Sequence, residues 1–118
     1  VAKVAITCNC DKPDSVFPTF ILGSSAAALG DTVVLFFTHV GAPALAHGEL
    51  EKMVGLPGLP DIVKLYEGSL SLDAKIYVCE LALETNGLAK EEYREGVEFV
   101  GSAFFMNEIK DATVTFSF

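Results

Sequence analysis

Five short apolar runs, rich in β-branched residues, recur along this chain, and each of the first four is followed by a stretch of helical character. They are Lys3–Cys8 (KVAITC), Thr32–Thr38 (TVVLFFT), Lys75–Val78 (KIYV), Val97–Val100 (VEFV) and Thr113–Phe118 (TVTFSF). The first three are nearly unbroken apolar runs, as expected of strands buried on both faces of a sheet. Strands alternating with helices imply a mostly parallel sheet covered on both sides. The expected fold class is therefore α/β, a three-layer α/β/α sandwich with a mostly parallel sheet of about five strands.

The intervening stretches carry their own punctuation. Asp14 or Ser15 is suited to cap the first helix, Pro18 to its first turn and Gly30 to a left-handed stop. Pro43, Pro57, Gly58 and Pro60 break the middle segment into a short helix near Ala44–Met53, a turn, and a second helix near Asp61–Tyr66. A short helix over Glu80–Thr85 ends at Asn86-Gly87, Glu91–Glu95 reads as a polar helical turn, and Ala103–Ile109 as a helix. No repeat or linker divides the 118 residues, so residues 1–118 are expected to form a single domain.

Composition narrows the function classes. With 51% hydrophobic and 20% charged residues and a mean hydropathy of +0.43, the chain is not disordered. So small a domain cannot enclose that much apolar surface, and a subunit interface, hence a homo-oligomer, is expected. The net charge of −8, with cationic residues scattered from Lys3 to Lys110, argues against nucleic acid as a partner. The stretch Val16–Leu29, interrupted by Pro18, Thr19, Gly23, Ser24 and Ser25, falls short of the roughly 20 residues of a membrane span. An odd cysteine count without a secretory signal points to free, metal-binding or reactive thiols in a cytoplasmic protein.

In open parallel sheets, ligands and reactive groups gather beyond the carboxyl ends of the strands. Cys8 and Cys10 end the first run, Thr38 and His39 the second, and Cys79 the third. A thiol at a strand-to-helix junction, as at Cys79, faces unpaired N–H groups that favour thiolate, although Glu80 opposes this. The competing reading is a cysteine that packs as a small hydrophobe. In Cys8-Asn9-Cys10 an extended backbone points both sulfurs to one face; the pair is read as a resolving thiol for Cys79, half of a metal site, or inert.

The three cysteines and His39 have the donor types of a tetrahedral zinc site, but no CxxC or HxxxH spacing supports one, and no metal or other cofactor is expected. GxSxG, GxxxxGK[ST] and GxGxxG are absent. Gly55–Pro60 lacks the lysine of a phosphate loop, Glu91–Glu95 reads as a solvated helical face, and His47 as a surface residue.

An ordered set of segments is similar to the DsrE/DsrF-like family of small sulfur-relay proteins, and in particular to its peroxiredoxin-like DsrE branch. The segments are Lys3-Val4-Ala5-Ile6, Ala26-Ala27-Ala28-Leu29-Gly30, Val34-Leu35-Phe36-Phe37-Thr38, Ala74–Cys79 with Gly87-Leu88, and Gly96–Gly101. The resemblance implies a three-layer α/β/α domain assembling as a homodimer, trimer or hexamer. It also implies that the cysteine aligned with Cys79 accepts sulfane sulfur as a persulfide and passes it between donor and acceptor proteins or small sulfane-sulfur compounds. The Cys8-Asn9-Cys10 pair is not part of the family pattern, and the middle segment is shorter than in many members of the branch.

Three functions are thus expected in order. The first is a sulfur carrier or sulfurtransferase acting through Cys79. The second is a non-catalytic oligomeric scaffold whose cysteines are packing residues. The third is a dithiol oxidoreductase pairing Cys79 with Cys8 or Cys10.

Overall fold

In the computed structural model, which describes residues 1–118, the five runs form one all-parallel sheet. Its strands are β1 (Lys3–Cys8), β2 (Thr32–Phe37), β3 (Lys75–Cys79), β4 (Val97–Val100) and β5 (Val114–Ser117), in spatial order β4-β3-β2-β1-β5. This is the expected α/β architecture.

Strand order and crossover handedness together decide which face each helix covers. Helices α1 (Pro13–Ala28), α2 (Ile62–Ser71) and α3 (Leu81–Thr85) each lie in a connection that advances the chain one strand in the same direction. Right-handed crossovers therefore set all three on one face. Helix α4 (Ser102–Glu108) carries the chain the other way, from β4 to the far side of β1, and so lies on the opposite face. The core divides accordingly. Ile6, Leu35, Phe37, Ile76 and Val78 of the sheet share one apolar cluster with Val16 and Phe20 of α1, Ile62 and Tyr66 of α2 and Ala82 of α3. Val34, Phe36, Tyr77, Cys79 and Val100 face the other way, where Phe105 of α4 is the buried helical residue, backed by Ile109. The sandwich has a thick layer and a thin one.

The start of α1 differs from expectation. Lys12 is its N-cap, without a side-chain cap bond, and Pro13 rather than Pro18 occupies the first turn. A proline at the first helical position gives up an N–H that has no intrahelical acceptor. Asp14 contributes negative charge near the helix's positive end instead of capping it. Pro18 lies inside the helix, where its missing N–H leaves the Asp14 carbonyl without an intrahelical donor. The stop is as expected: Gly30 adopts φ +88°.

The expected helix over Ala44–Met53 is instead two 3₁₀ turns, Ala42–Leu45 and Leu50–Met53. Between them Ala46 is extended and bridges Tyr93, while the His47 N–H donates to the Glu92 carbonyl at 2.9 Å. Those two ties take up backbone groups a continuous helix would need. Helix α2 runs past Tyr66 to Ser71, because Ile62, Tyr66 and Ser69 recur on one buried stripe. The polar turn expected at Glu91–Glu95 is a 3₁₀ turn at Lys90–Glu92. No helix is long and apolar enough to cross a membrane.

Candidate functional site

Neighbouring strands β3 and β4 are where the chain departs toward opposite faces, β3 into α3 on the thick side and β4 into α4 on the thin side. In open α/β sheets a crevice opens outside the carboxyl ends of such a pair. Cys79 ends β3 and is level with Val100, the last residue of β4. The next residue locks the two strand ends together: the Glu80 N–H donates to the Val100 carbonyl at 2.9 Å. Its carboxylate folds over the turn into α4, with Oε1 only 3.1 Å from where a Cβ on Gly101 would stand.

The Cys79 side chain projects to the thin side, among Val34, Phe36, Tyr77, Val100 and Phe105, and the residue is 8% exposed. Phe105 stacks on Phe36 at 4.2 Å between centroids, and Phe104 meets Tyr77 edge-on at 5.6 Å. Cys79 lines none of the molecule's three clefts. The helix that follows it is a five-residue turn with Glu80 as N-cap, so the helical end expected at this sulfur is a short one.

Cys8 ends β1 and is fully buried on the thick side, in the cluster that holds Val16 and Phe20. Burial pushes its thiol up from the usual range, partly offset by hydrogen bonds with Thr19 and with the Cys10 carbonyl, which accepts from Sγ at 3.3 Å. The Cys8 carbonyl in turn accepts from the Thr38 N–H at 3.1 Å and lies against Gly41, where a Cβ would come within 2.2 Å of its oxygen. Only glycine fits there. Cys10 is half-buried in the loop between β1 and α1.

Cys8, Thr38, His39 and Cys79 do share one sheet edge, and Asn86 Nδ2 ties the loop after β2 to the end of α3 through the His39 carbonyl at 2.9 Å. The sulfurs, however, are divided. Cys8 is level with Phe37, and Phe37 with Val78, so Cys79 is one residue further along and points to the opposite face. Strand β2 also separates β1 from β3 by roughly 9–10 Å, beyond the Cα range of about 4.4–6.8 Å that a disulfide spans. The pairing of Cys79 with Cys8 is thereby corrected: the sheet stands between them, and all three cysteines are free. For the same reason the three thiols and His39 do not converge as a tetrahedral set.

One polar cleft was not foreseen. About 280 Å³ in volume, it is lined by His47, Glu51, Tyr66 and Arg94 among others and contains no cysteine. Arg94 stacks 5.0 Å over the Tyr66 ring and holds Glu51 through bonds of 2.7 and 3.2 Å. Arg94 keeps the Glu51 carboxyl below its ordinary range, and burial pushes the Tyr66 hydroxyl up to about 12. The charged run around Arg94 reads as a solvated face; the signal that it turns inward is the adjacent Tyr93, which is buried.

The model of the DsrE/DsrF/DrsH-like family matches residues 1–55 and, in a second piece, residues 48–116. The chain belongs to this family. It is 30% identical over 101 residues to the uncharacterized protein MJ0760 of Methanocaldococcus jannaschii, a match taking in 86% of this chain and 36% of that protein, so the chain spans about a third of this relative's length. It is 28% identical to the sulfur carrier protein DsrE2 of Allochromatium vinosum, covering 87% of this chain and 89% of the relative. That alignment extends over 142 residues, more than the whole 118-residue chain, so the relative carries residues with no counterpart here. Among solved structures, the ychN protein of E. coli superposes with a TM-score of 0.80 at 17% identity, with full coverage of both chains. The conserved protein of unknown function BT1422 of Bacteroides thetaiotaomicron follows at 0.71 and 15%, covering 98% of this chain and 94% of that one. These two likenesses concern the fold.

Proposed function

We propose that this chain is a sulfur carrier that takes up sulfane sulfur as a persulfide on Cys79 and delivers it to an acceptor thiol. The observation that carries the reading is the place of Cys79 at the end of β3, where the chain's exits from β3 and β4 diverge. Kinship with a protein named as a sulfur carrier, along most of both chains, supports the same chemistry. Three free thiols suit a reducing, cytoplasmic setting. Exposed apolar side chains such as Leu81 (64%), Met106 (59%) and Phe104 (49%) are consistent with a homo-oligomer.

In the proposed step the Cys79 thiolate attacks the outer sulfur of a donor persulfide. The donor S–S bond breaks, the donor leaves as a thiolate, and Cys79 becomes a persulfide with no net change in oxidation state. An acceptor thiolate then attacks that outer sulfur and Cys79 departs as thiolate. Cys10, half-buried in its loop, is better placed than the enclosed Cys8 to take sulfur onward. Because Phe105 roofs the cluster around Cys79, uptake requires α4 to move aside.

The burial of Cys79 also favours a second reading, a non-catalytic scaffold whose cysteines only pack. Incubation with polysulfide followed by intact-mass analysis separates the two. The carrier gains increments of about 32 Da that vanish in Cys79→Ser and persist in Cys8→Ser. A scaffold gains none, and increments that survive Cys79→Ser would remove that residue from the centre.

A further inference from the structure

We propose that β5 is the seam along which two copies of this chain join, pairing antiparallel about a two-fold axis to continue the sheet. The strand hydrogen-bonds to β1 on one side and has no strand on the other. Unpaired N–H and C=O groups along such an edge accept another strand unless the edge is blunted by charge, proline, a bulge or a covering segment.

The opposite edge is blunted by charge: strand β4 carries the exposed carboxylate of Glu98 at its centre, while on the thick face its Phe99 is already occupied, with Lys90 5.7 Å over the ring and Tyr93 edge-on at 5.2 Å. The β5 edge has none of these defences. From Thr113 to Phe118 no side chain is charged and none is a proline, and Val114, Thr115, Phe116 and Ser117 are all exposed. In a chain of net charge −8, two β4 edges would set Glu98 against its like, whereas two β5 edges meet without opposed charges.

The strand is also complementary to itself. Val114 and Phe116 are level with Val4 and Ile6 and face the thick side, where Phe116 and Phe118 stack at 5.9 Å. Thr115 and Ser117 are level with Ala5 and Thr7 and face the thin side. A two-fold axis perpendicular to the sheet keeps each face continuous, so only residues of like facing oppose one another. Apolar side chains then meet apolar ones on one face and hydroxyls meet hydroxyls on the other. Apolar grooves border this edge on both faces, one of about 450 Å³ between Phe118 and α1, the other of about 390 Å³ between β5 and α4. The occupant is thus a second copy, because the closed antiparallel pairing matches side chains and avoids charge at once.

The test is sedimentation of the full chain with opposite charges placed on the seam. In every register that opposes like with like, residue 115 lies across from the partner's Thr113, the partner's Thr115 or the partner's Ser117. Thr115→Glu and Thr115→Lys are each expected to halve the mass of an even-numbered wild-type assembly while leaving the circular dichroism spectrum unchanged. An equimolar mixture of the two variants is expected to restore the wild-type mass, which a merely misfolded variant does not do. A wild-type chain that sediments as a monomer or an odd-numbered assembly, variants that keep the full mass, or a mixture that stays at half mass would each overturn the proposal. The readout is independent of sulfur chemistry, so its failure leaves the reading of Cys79 untouched.

Discussion

Phe105 of α4 stacks on Phe36 of β2 with ring planes 15° apart, and the two rings belong to the apolar cluster that encloses Cys79. Helix α4 rests on this stack, on the edge contact of Phe104 with Tyr77, and on the Lys3 ammonium group donating to the Glu108 carbonyl. Loosening that attachment is expected to open the way to the sulfur. Phe105→Ala is expected to speed alkylation of Cys79 by iodoacetamide at least several-fold and to cost roughly 3 kcal/mol of stability. Peptide mass spectrometry of a labelling time course checks it; an unchanged rate at Cys79 contradicts it.

Gly41 holds the loop after β2 against the end of β1. A methyl group there would lie 2.2 Å from the Cys8 carbonyl oxygen, a backbone atom that the sheet prevents from yielding. Gly41→Ala is expected to destabilise the fold by about 2 kcal/mol or more, read as a lowered urea midpoint with an unchanged slope.

Alkaline pH is expected to weaken the fold in two windows. The Cys8 thiol is raised in the folded chain from its ordinary 9.0 by burial, so its contribution is complete below pH 9 and is lost as pH rises above that value. Tyr66, raised by burial from 10.0 to about 12, adds a second loss between those values. Cys8→Ala should remove the first part of the pH slope and Tyr66→Phe should flatten the second, to which Tyr77 and Tyr93, also raised by burial, contribute, measured by urea denaturation as a function of pH. Identical slopes in the wild type and in both variants would contradict the assignment.

Asp61 caps α2, its Oδ1 accepting from the N–H groups of Val63 at 3.0 Å and Lys64 at 3.2 Å. Asp61→Ala is expected to cost about 1 kcal/mol and Asp61→Asn far less, a contrast visible in thermal denaturation.

The sheet was legible because its three central strands are largely buried on both faces and read as apolar runs, such as Val33–Phe37. The gathering of Cys8, His39 and Cys79 at one edge followed from a single rule about parallel sheets. Strand order was not legible, and with it went the facing of the sulfurs: the sheet register that sends Cys8 and Cys79 to opposite faces is a relation between distant segments. The α1 start was missed because two prolines compete for the first turn, and Pro13 takes it. The helix expected over Ala44–Met53 gives way to two 3₁₀ turns because the ties from Ala46 and His47 to Tyr93 and Glu92 are long-range and leave no mark in the local sequence. Close approaches at Gly41 and Gly101 were invisible for the same reason.

The most direct test of the carrier reading locates the extra sulfur. The chain is loaded with a persulfide donor, blocked with an alkylating reagent without reductant and digested, and its cysteine peptides are weighed. The account predicts that the peptide holding Cys79 bears an alkylated persulfide and that fragmentation of the peptide shared by Cys8 and Cys10 places none on Cys8. Persulfide confined to Cys10, or found on no cysteine, would contradict it.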